Sequence, residues 1–207
     1  MKNKKTLNKS YILSGPIGVG KTTVIELLKD EYKTLSELNP NDEIIKHIIK
    51  NTYAENEKKL NPDVVQMYTF ANRFLTFAIN TPGIFDRGPV DPIVFDFLFN
   101  KKSMFLTFLD ALKNKENTLK NTKHIILTLN EKENISRLEK RNRENEFINE
   151  KTIKLIKEFN YVLVGILIMC NWDFEIINCD NKTPQEIKQE IIKIIENDEG
   201  VKRNEKS

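Results

Sequence analysis

The ten residues Ser14–Thr23, SGPIGVGKTT, constrain this chain more than any other stretch. Gly15, Gly20, Lys21 and Thr22 fill the pattern G-x-x-x-x-G-K-[ST]. The apolar Tyr11-Ile12-Leu13 ahead of it reads as a short buried strand. Thr23 to Lys29 behind it carries Val24, Leu27 and Leu28 at helical spacing. Strand, glycine loop, helix is the context that gives the pattern meaning. Glycines let the backbone turn tightly and point successive N–H groups inward, and the helix N-terminus adds partial positive charge. Phosphate oxygens are what such a cradle binds. The loop Gly15, Pro16, Ile17, Gly18, Val19, Gly20, Lys21, Thr22, Thr23 is therefore expected to hold a nucleoside triphosphate. Lys21 reaches the β- and γ-phosphates, and the Thr22 hydroxyl is suited to Mg²⁺.

The rest of the chain alternates apolar strands with amphipathic helices. Thr34 to Leu38 reads as a second strand, and Asn39-Pro40-Asn41-Asp42 breaks it and caps a helix from Glu43. Asn51 to Asn61 is polar and reads as a loop. Pro62 opens a helix to Asn80, followed by a brief strand at Ile84-Phe85 and helices over Val90–Phe99 and Ser103–Leu112. His124–Leu129 (HIILTL) is a near-continuous apolar strand, as a sheet covered on both faces requires. Helix Glu131–Lys140, a charged loop Arg141–Asn149, helix Lys151–Cys170, strand Phe174–Cys179 and helix Thr183–Asn197 complete the chain. Thr183-Pro184-Gln185-Glu186 has the composition of a capped helix start. The pattern predicts an α/β sandwich with a central parallel sheet.

Length and charge exclude several classes. The 207 residues suit one domain, and 39% hydrophobic with 30% charged residues suits a water-soluble protein. We expect a basic, flexible N-terminus over 1–9, a single domain over 10–197 and a flexible tail over 198–207. The net charge of +3 owes much to terminal lysines and arginine that no aromatic residues interleave, which argues against a nucleic-acid polymer as partner. The longest apolar run, Tyr161–Cys170, is too short to span a bilayer, and no signal peptide is evident. A cytoplasmic protein without a membrane partner is expected. Cys170 and Cys179 have no metal-ligand spacing and read as buried free thiols.

Ligands of such sheets sit beyond the C-terminal strand ends. Glu37 after the second strand, Asp86-Arg87 after the third and Asp180 after the last fall there. Either Glu37 or Asp86 is placed to hold Mg²⁺ or to take a proton from an attacking hydroxyl. Arg137 and Arg141, four apart on one helical face, are suited to neutralise charge on a transferred phosphoryl group.

Taken together, GPIGVGKTT, the Glu after strand two, FDRG after strand three and RLEKRNRENE resemble the deoxynucleoside kinase and thymidylate kinase group over Tyr11 to Ile195. The resemblance implies a three-layer P-loop kinase sandwich with about five parallel strands, helices on both faces and an arginine-rich lid over about 137–149. It implies ATP and Mg²⁺ as cofactors and a small nucleoside or nucleotide as substrate. By the same resemblance Glu37 is the base toward the sugar 5′-hydroxyl, Asp86 stands near Mg²⁺, and Arg87 steers the 5′-oxygen and phosphate. Gln66 and Arg73 face the nucleobase, Glu146 reaches the 3′-hydroxyl, and Asp180 lies near the adenine. Arg137 and Arg141, with Arg143 assisting, attend the phosphates. Asp-Arg-Gly-Pro stands where the family commonly has Glu-Arg-Ser, and thymidylate kinases carry Asp-Arg. A deoxynucleoside kinase is the leading expectation, with a thymidylate-kinase-like monophosphate kinase as the alternative. A kinase of another small metabolite and a non-catalytic nucleotide switch rank below these. Group members often pair through long helices, so Pro62–Asn80 or Lys151–Cys170 is expected either to form a homodimer contact or to serve as interior packing.

Overall fold

The computed structural model describes residues 4–36, 43–44, 62–99, 107–108, 110, 112, 121–141 and 148–200. In chain order these form β1 (Ser10–Ser14), α1 (Lys21–Leu28), β2 (Thr34–Leu35), α2 (Pro62–Asn80), β3 (Ile84–Asp86), α3 (Val90–Phe99), β4 (Thr122–Thr128), α4 (Glu131–Arg141), α5 (Glu150–Met169), β5 (Asp173–Asn178) and α6 (Pro184–Asp198). The five strands are parallel and lie in the order β2-β3-β1-β4-β5. This is the α/β sandwich with a central parallel sheet that the alternating pattern predicts, with the five strands that the resemblance implies.

Strand β1 is central and buried along its whole length. Because side chains alternate, Tyr11 and Leu13 face one layer and Ile12 the other. Tyr11 and Leu13 pack with Val24, Ile25 and Leu28 of α1 and with Ile187 and Ile191 of α6. Ile12 packs with Phe77 of α2, Val90 and Ile93 of α3, and Phe159 and Leu163 of α5. Two apolar cores therefore hold the sheet between two helix layers. Each large side chain so buried contributes about 1.5–3 kcal/mol.

Element boundaries shift where polar partners decide them. Of the strand expected over Thr34–Leu38, Thr34 and Leu35 pair with β3, and Glu37 and Leu38 lie outside the described residues. Strand β4 starts earlier than His124 because Thr122 and Lys123 pair with Ser10 and Tyr11. The Lys123 ammonium is met there by Glu175 and Asp198 at 3.2 and 3.0 Å. Asn149 caps α5 by accepting from Thr152 N at 3.0 Å. Thr183 and Glu186 form the reciprocal capping box at α6. Arg141, expected in a loop, closes α4. The segments expected at Glu43 onward, Asn51–Asn61 and Ser103–Leu112 lie largely outside the described residues.

Residues 4–9 pack along the domain: Lys5 N donates to Glu31 O, Leu7 is buried, and Lys9 Nζ meets Asp198 at 2.7 Å. Both cysteines are free, but only Cys179 is buried; Cys170 is half-buried at the end of α5. Burial pushes the Cys179 thiol up to about 11. Among the described residues no helix is long and apolar enough to cross a membrane.

His124 is buried in β4, its ring stacked on Trp172 with centroids 6.3 Å apart. Burial lowers its pKa to about 4, with Asp91 and Asp173 opposing that effect. In the unfolded chain the imidazole titrates near 6.5. Between those values the unfolded state binds more protons, so this contribution to stability is present at neutral pH and lost as pH falls from 6.5 toward 4. Thermal melts at pH 7 and pH 5 should show a smaller acid loss in His124→Phe than in the wild type. Equal losses would assign the acid sensitivity to other groups.

Candidate active site

Strand β1 has β3 on one side and β4 on the other, so its C-terminal end is the switch point of the sheet. The glycine loop leaves the sheet there. Gly15 has φ +148, and a Cβ on it would sit 2.6 Å from Leu127 O at the end of β4. Only glycine permits that approach. Gly20 caps α1 in a left-handed conformation, and no side chain takes the first N–H groups of the helix. These groups and the helix dipole give the loop its attraction for anions. Lys21 is buried at 6% exposure, and its Nζ donates to Gly15 O at 2.9 Å and Pro16 O at 2.8 Å. The ammonium thus spans the loop and fixes its curvature. Pro16 and Val19 are buried, Ile17 is half-buried, and Thr22 and Thr23 are exposed.

The apolar strand β3 delivers Asp86 to the same place. Asp86 is 2% exposed, and its Oδ2 accepts from Thr22 Oγ1 at 2.8 Å. Hydroxyl and carboxylate from two separate elements therefore face one point beside the loop. Arg87 follows in a left-handed conformation (φ 65) with its N–H donated to Leu13 O at 2.9 Å. Its guanidinium turns into the helix layer, 5.2 Å from the Phe95 ring centroid and 5.4 Å from that of Phe159.

A carboxylate that the motif reasoning passed over organises this turn. Asp91 is fully buried in the first turn of α3. Its Oδ2 accepts from Ser14 Oγ and from Gly88 N, each at 2.9 Å, and its Oδ1 accepts from Arg87 Nη1 at 3.2 Å. The signal in the sequence is an acidic residue three positions after Gly88, in the turn that opens a helix, where a carboxylate reaches back to the backbone.

On the other side of the loop lies α4. Arg137 is about one third exposed, and its Nη2 meets Glu133 Oε1 at 2.6 Å. A Cβ on Gly20 would lie 3.9 Å from Arg137 Nη1, so this guanidinium already borders the loop. Arg141 is exposed at the helix end. Asp180, after β5, accepts from Asn130 N at 2.6 Å and ties that loop to the turn opening α4. On α2, Arg73 is buried and Gln66 half-buried. Glu37, Arg143 and Glu146 lie outside the described residues. The structure thus gathers Lys21, Thr22, Asp86 and Arg137 around the loop and directs Arg87 toward Asp91.

Glycine loop, lysine, hydroxyl and carboxylate at the switch point of a parallel sheet define a P-loop nucleotide-binding protein. The sequence profile described as "Deoxynucleoside kinase" matches residues 12–196, and the chain belongs to that family, whose members phosphorylate a hydroxyl group. No curated protein matches the chain as a relative. Among solved structures, the deoxyadenosine kinase of M. mycoides with products dCMP and a flexible dCDP bound has a TM-score of 0.69 at 20% identity. That match covers 91% of this chain and 99% of the other. The same enzyme with bound dATP gives 0.64 at 19% identity, covering 89% and 98%. Thymidylate kinase from Candida albicans gives 0.62 at 16% identity, covering 92% of each chain.

Replacing Asp91 with Ala removes the one buried carboxylate that receives Ser14, Arg87 and Gly88. Losing one partner of a buried ion pair costs about 3–5 kcal/mol. Urea unfolding of Asp91→Ala should show a loss of that order. A loss below about 1 kcal/mol, the range of an exposed pair, would mean that Asp91 does not hold this turn.

Proposed function

We propose that this protein transfers the γ-phosphoryl group of ATP to the 5′-hydroxyl of a deoxynucleoside. The observation that carries this is the convergence of Lys21, Thr22 Oγ1 and Asp86 Oδ2 at the mouth of the glycine loop, in a chain of the deoxynucleoside kinase family. The M. mycoides deoxyadenosine kinase described with dCMP and dCDP supports a nucleoside as acceptor. One domain over residues 10–197 carries the activity.

Thr22 and Asp86 fit Mg²⁺, which takes oxygen ligands, keeps several waters and needs only one or two protein groups beside the phosphates. The bound metal would neutralise charge on the β- and γ-phosphate oxygens. The loop N–H groups and Lys21 hold the phosphates. Arg137 and Arg141 offset charge that builds on the transferred group, and Arg143 assists. Glu37 takes the proton of the attacking hydroxyl, since Asp86 is committed to Thr22. Arg87, fixed by Asp91, steers the 5′-oxygen and phosphate. Gln66 and Arg73 hold the nucleobase, Glu146 the 3′-hydroxyl, and the Asp180 loop borders the adenine. No covalent intermediate is required; catalysis is positioning and electrostatic stabilisation.

The exposed outer stripe of α5, Tyr161, Gly165 and Ile168, is the surface through which two copies pair. The mass in solution tests this, with Ile168→Glu shifting a dimer to a monomer.

The deciding experiment is ADP release from Mg·ATP with a panel of deoxynucleosides and a panel of their 5′-monophosphates. Turnover with the nucleosides alone is expected. Turnover with monophosphates alone would move the chain to the thymidylate kinase side and assign Arg73 or Arg87 to the acceptor phosphate. Lys21→Ala should lower turnover by about 10²–10³, the scale of losing a charge-stabilising group, with an unchanged far-UV spectrum.

A further inference from the structure

We propose that Asn134 is a positioning residue for the phosphate-binding loop. Its side-chain amide pairs with the backbone around Gly18 when phosphates are seated in the loop, and lacks that pairing when they are not. The proposal rests on the loop being the nucleotide site and adds to it a residue outside the motif.

Asn134 lies in the first turns of α4 and is fully buried. Among the described residues neither Nδ2 nor Oδ1 has a hydrogen-bond partner. A primary amide carries two N–H donors and two acceptor sites, and burying all of them unmet is unfavourable and rare. The amide lies against Gly18: a Cβ placed on that glycine would run into Asn134 Oδ1, and Leu138 one turn on closes the rest of the space. Gly18 has φ +84, within the stretch whose N–H groups must turn toward the phosphates. Turning a peptide N–H one way swings the neighbouring carbonyl the other way. Gly18 lies against the amide oxygen, so a turn of its flanking peptides as the phosphates seat would bring the amide a backbone partner.

The energetic consequence has a definite sign. An apolar residue at position 134 leaves no polar group to bury in the nucleotide-free state, so that state loses nothing. The nucleotide-bound state loses a hydrogen bond. Nucleotide affinity must therefore fall, because a ligand is held by the difference between the two states. A purely packing role would move both states together and leave affinity alone.

The test uses the full chain with Asn134→Leu, which keeps the branched shape, and Asn134→Ala, which relieves any crowding. Melting is followed with and without saturating Mg·ATP, and Kd for Mg·ATP is measured by calorimetry. The wild type is expected to melt higher with Mg·ATP. The leucine variant should melt at or above the wild type without nucleotide. Both variants should bind Mg·ATP about 5- to 30-fold more weakly, the ratio that one lost buried interaction produces. The loss should fall in KM for ATP and not in KM for the acceptor. Variants that bind Mg·ATP within twofold of the wild type overturn the proposal while leaving the loop as the nucleotide site. A leucine variant that melts lower, with an alanine variant that binds normally, assigns Asn134 to packing and overturns it too. A wild type that does not respond to Mg·ATP overturns the nucleotide site itself, and the proposal with it.

Discussion

The burial of a single carboxylate, Asp91, sets the geometry on which the rest of the site depends. An ionised carboxyl cannot leave water without donors to replace it, and here three supply them: the Ser14 hydroxyl, the Gly88 amide and the Arg87 guanidinium. Each donor belongs to a different part of the machinery. Ser14 is the last residue of β1 before the glycine loop, Arg87 follows the carboxylate that meets Thr22, and Gly88 leads into α3. If any one of them moved, the buried charge would lose part of its compensation. The loop and the Asp86 turn are therefore held in mutual register by electrostatics, where packing alone would tolerate some slip.

Around that fixed frame the positive groups are held with graded firmness. Lys21 is buried and bonded to two loop carbonyls, so its ammonium is part of the cradle. Arg137 is held by Glu133, both about one third exposed, and such a helical pair contributes about 0.3–0.5 kcal/mol. A phosphate group competes readily with an interaction that weak. Arg141, exposed at the end of α4, is less constrained by burial. The gradient runs from a buried lysine bonded to two loop carbonyls, through a partly exposed arginine with one ion pair, to an exposed arginine at the helix end.

The loop itself was legible residue by residue, because its function requires glycines at fixed offsets and one lysine and one hydroxyl after them. The layer order was legible too, since β1 and β4 are apolar enough to demand cover on both faces. Asp91 was not singled out, because an acidic residue in a helix first turn is ordinary until Ser14 and Arg87 are found against it. Asn134 was hidden for the same reason: within a charged helix one more polar residue carries no periodic signal. Cys170 was expected to be buried and is half-exposed, since a helix end shields less than the apolar run before it suggests.

What the sequence determined alone is the chemistry available at the strand ends: a phosphate cradle, a lysine, a hydroxyl, carboxylates and a pair of arginines four apart. Local spacing suffices for these, because turns, caps and helical faces depend on residues within a few positions of one another. What only the tertiary structure decided is which of them meet. Thr22 and Asp86 are 64 residues apart, and Ser14 and Asp91 77 apart. Their contact follows from the parallel register that sets β1 between β3 and β4. Such pairings are fixed by the way two apolar cores close on the sheet, which no local pattern encodes.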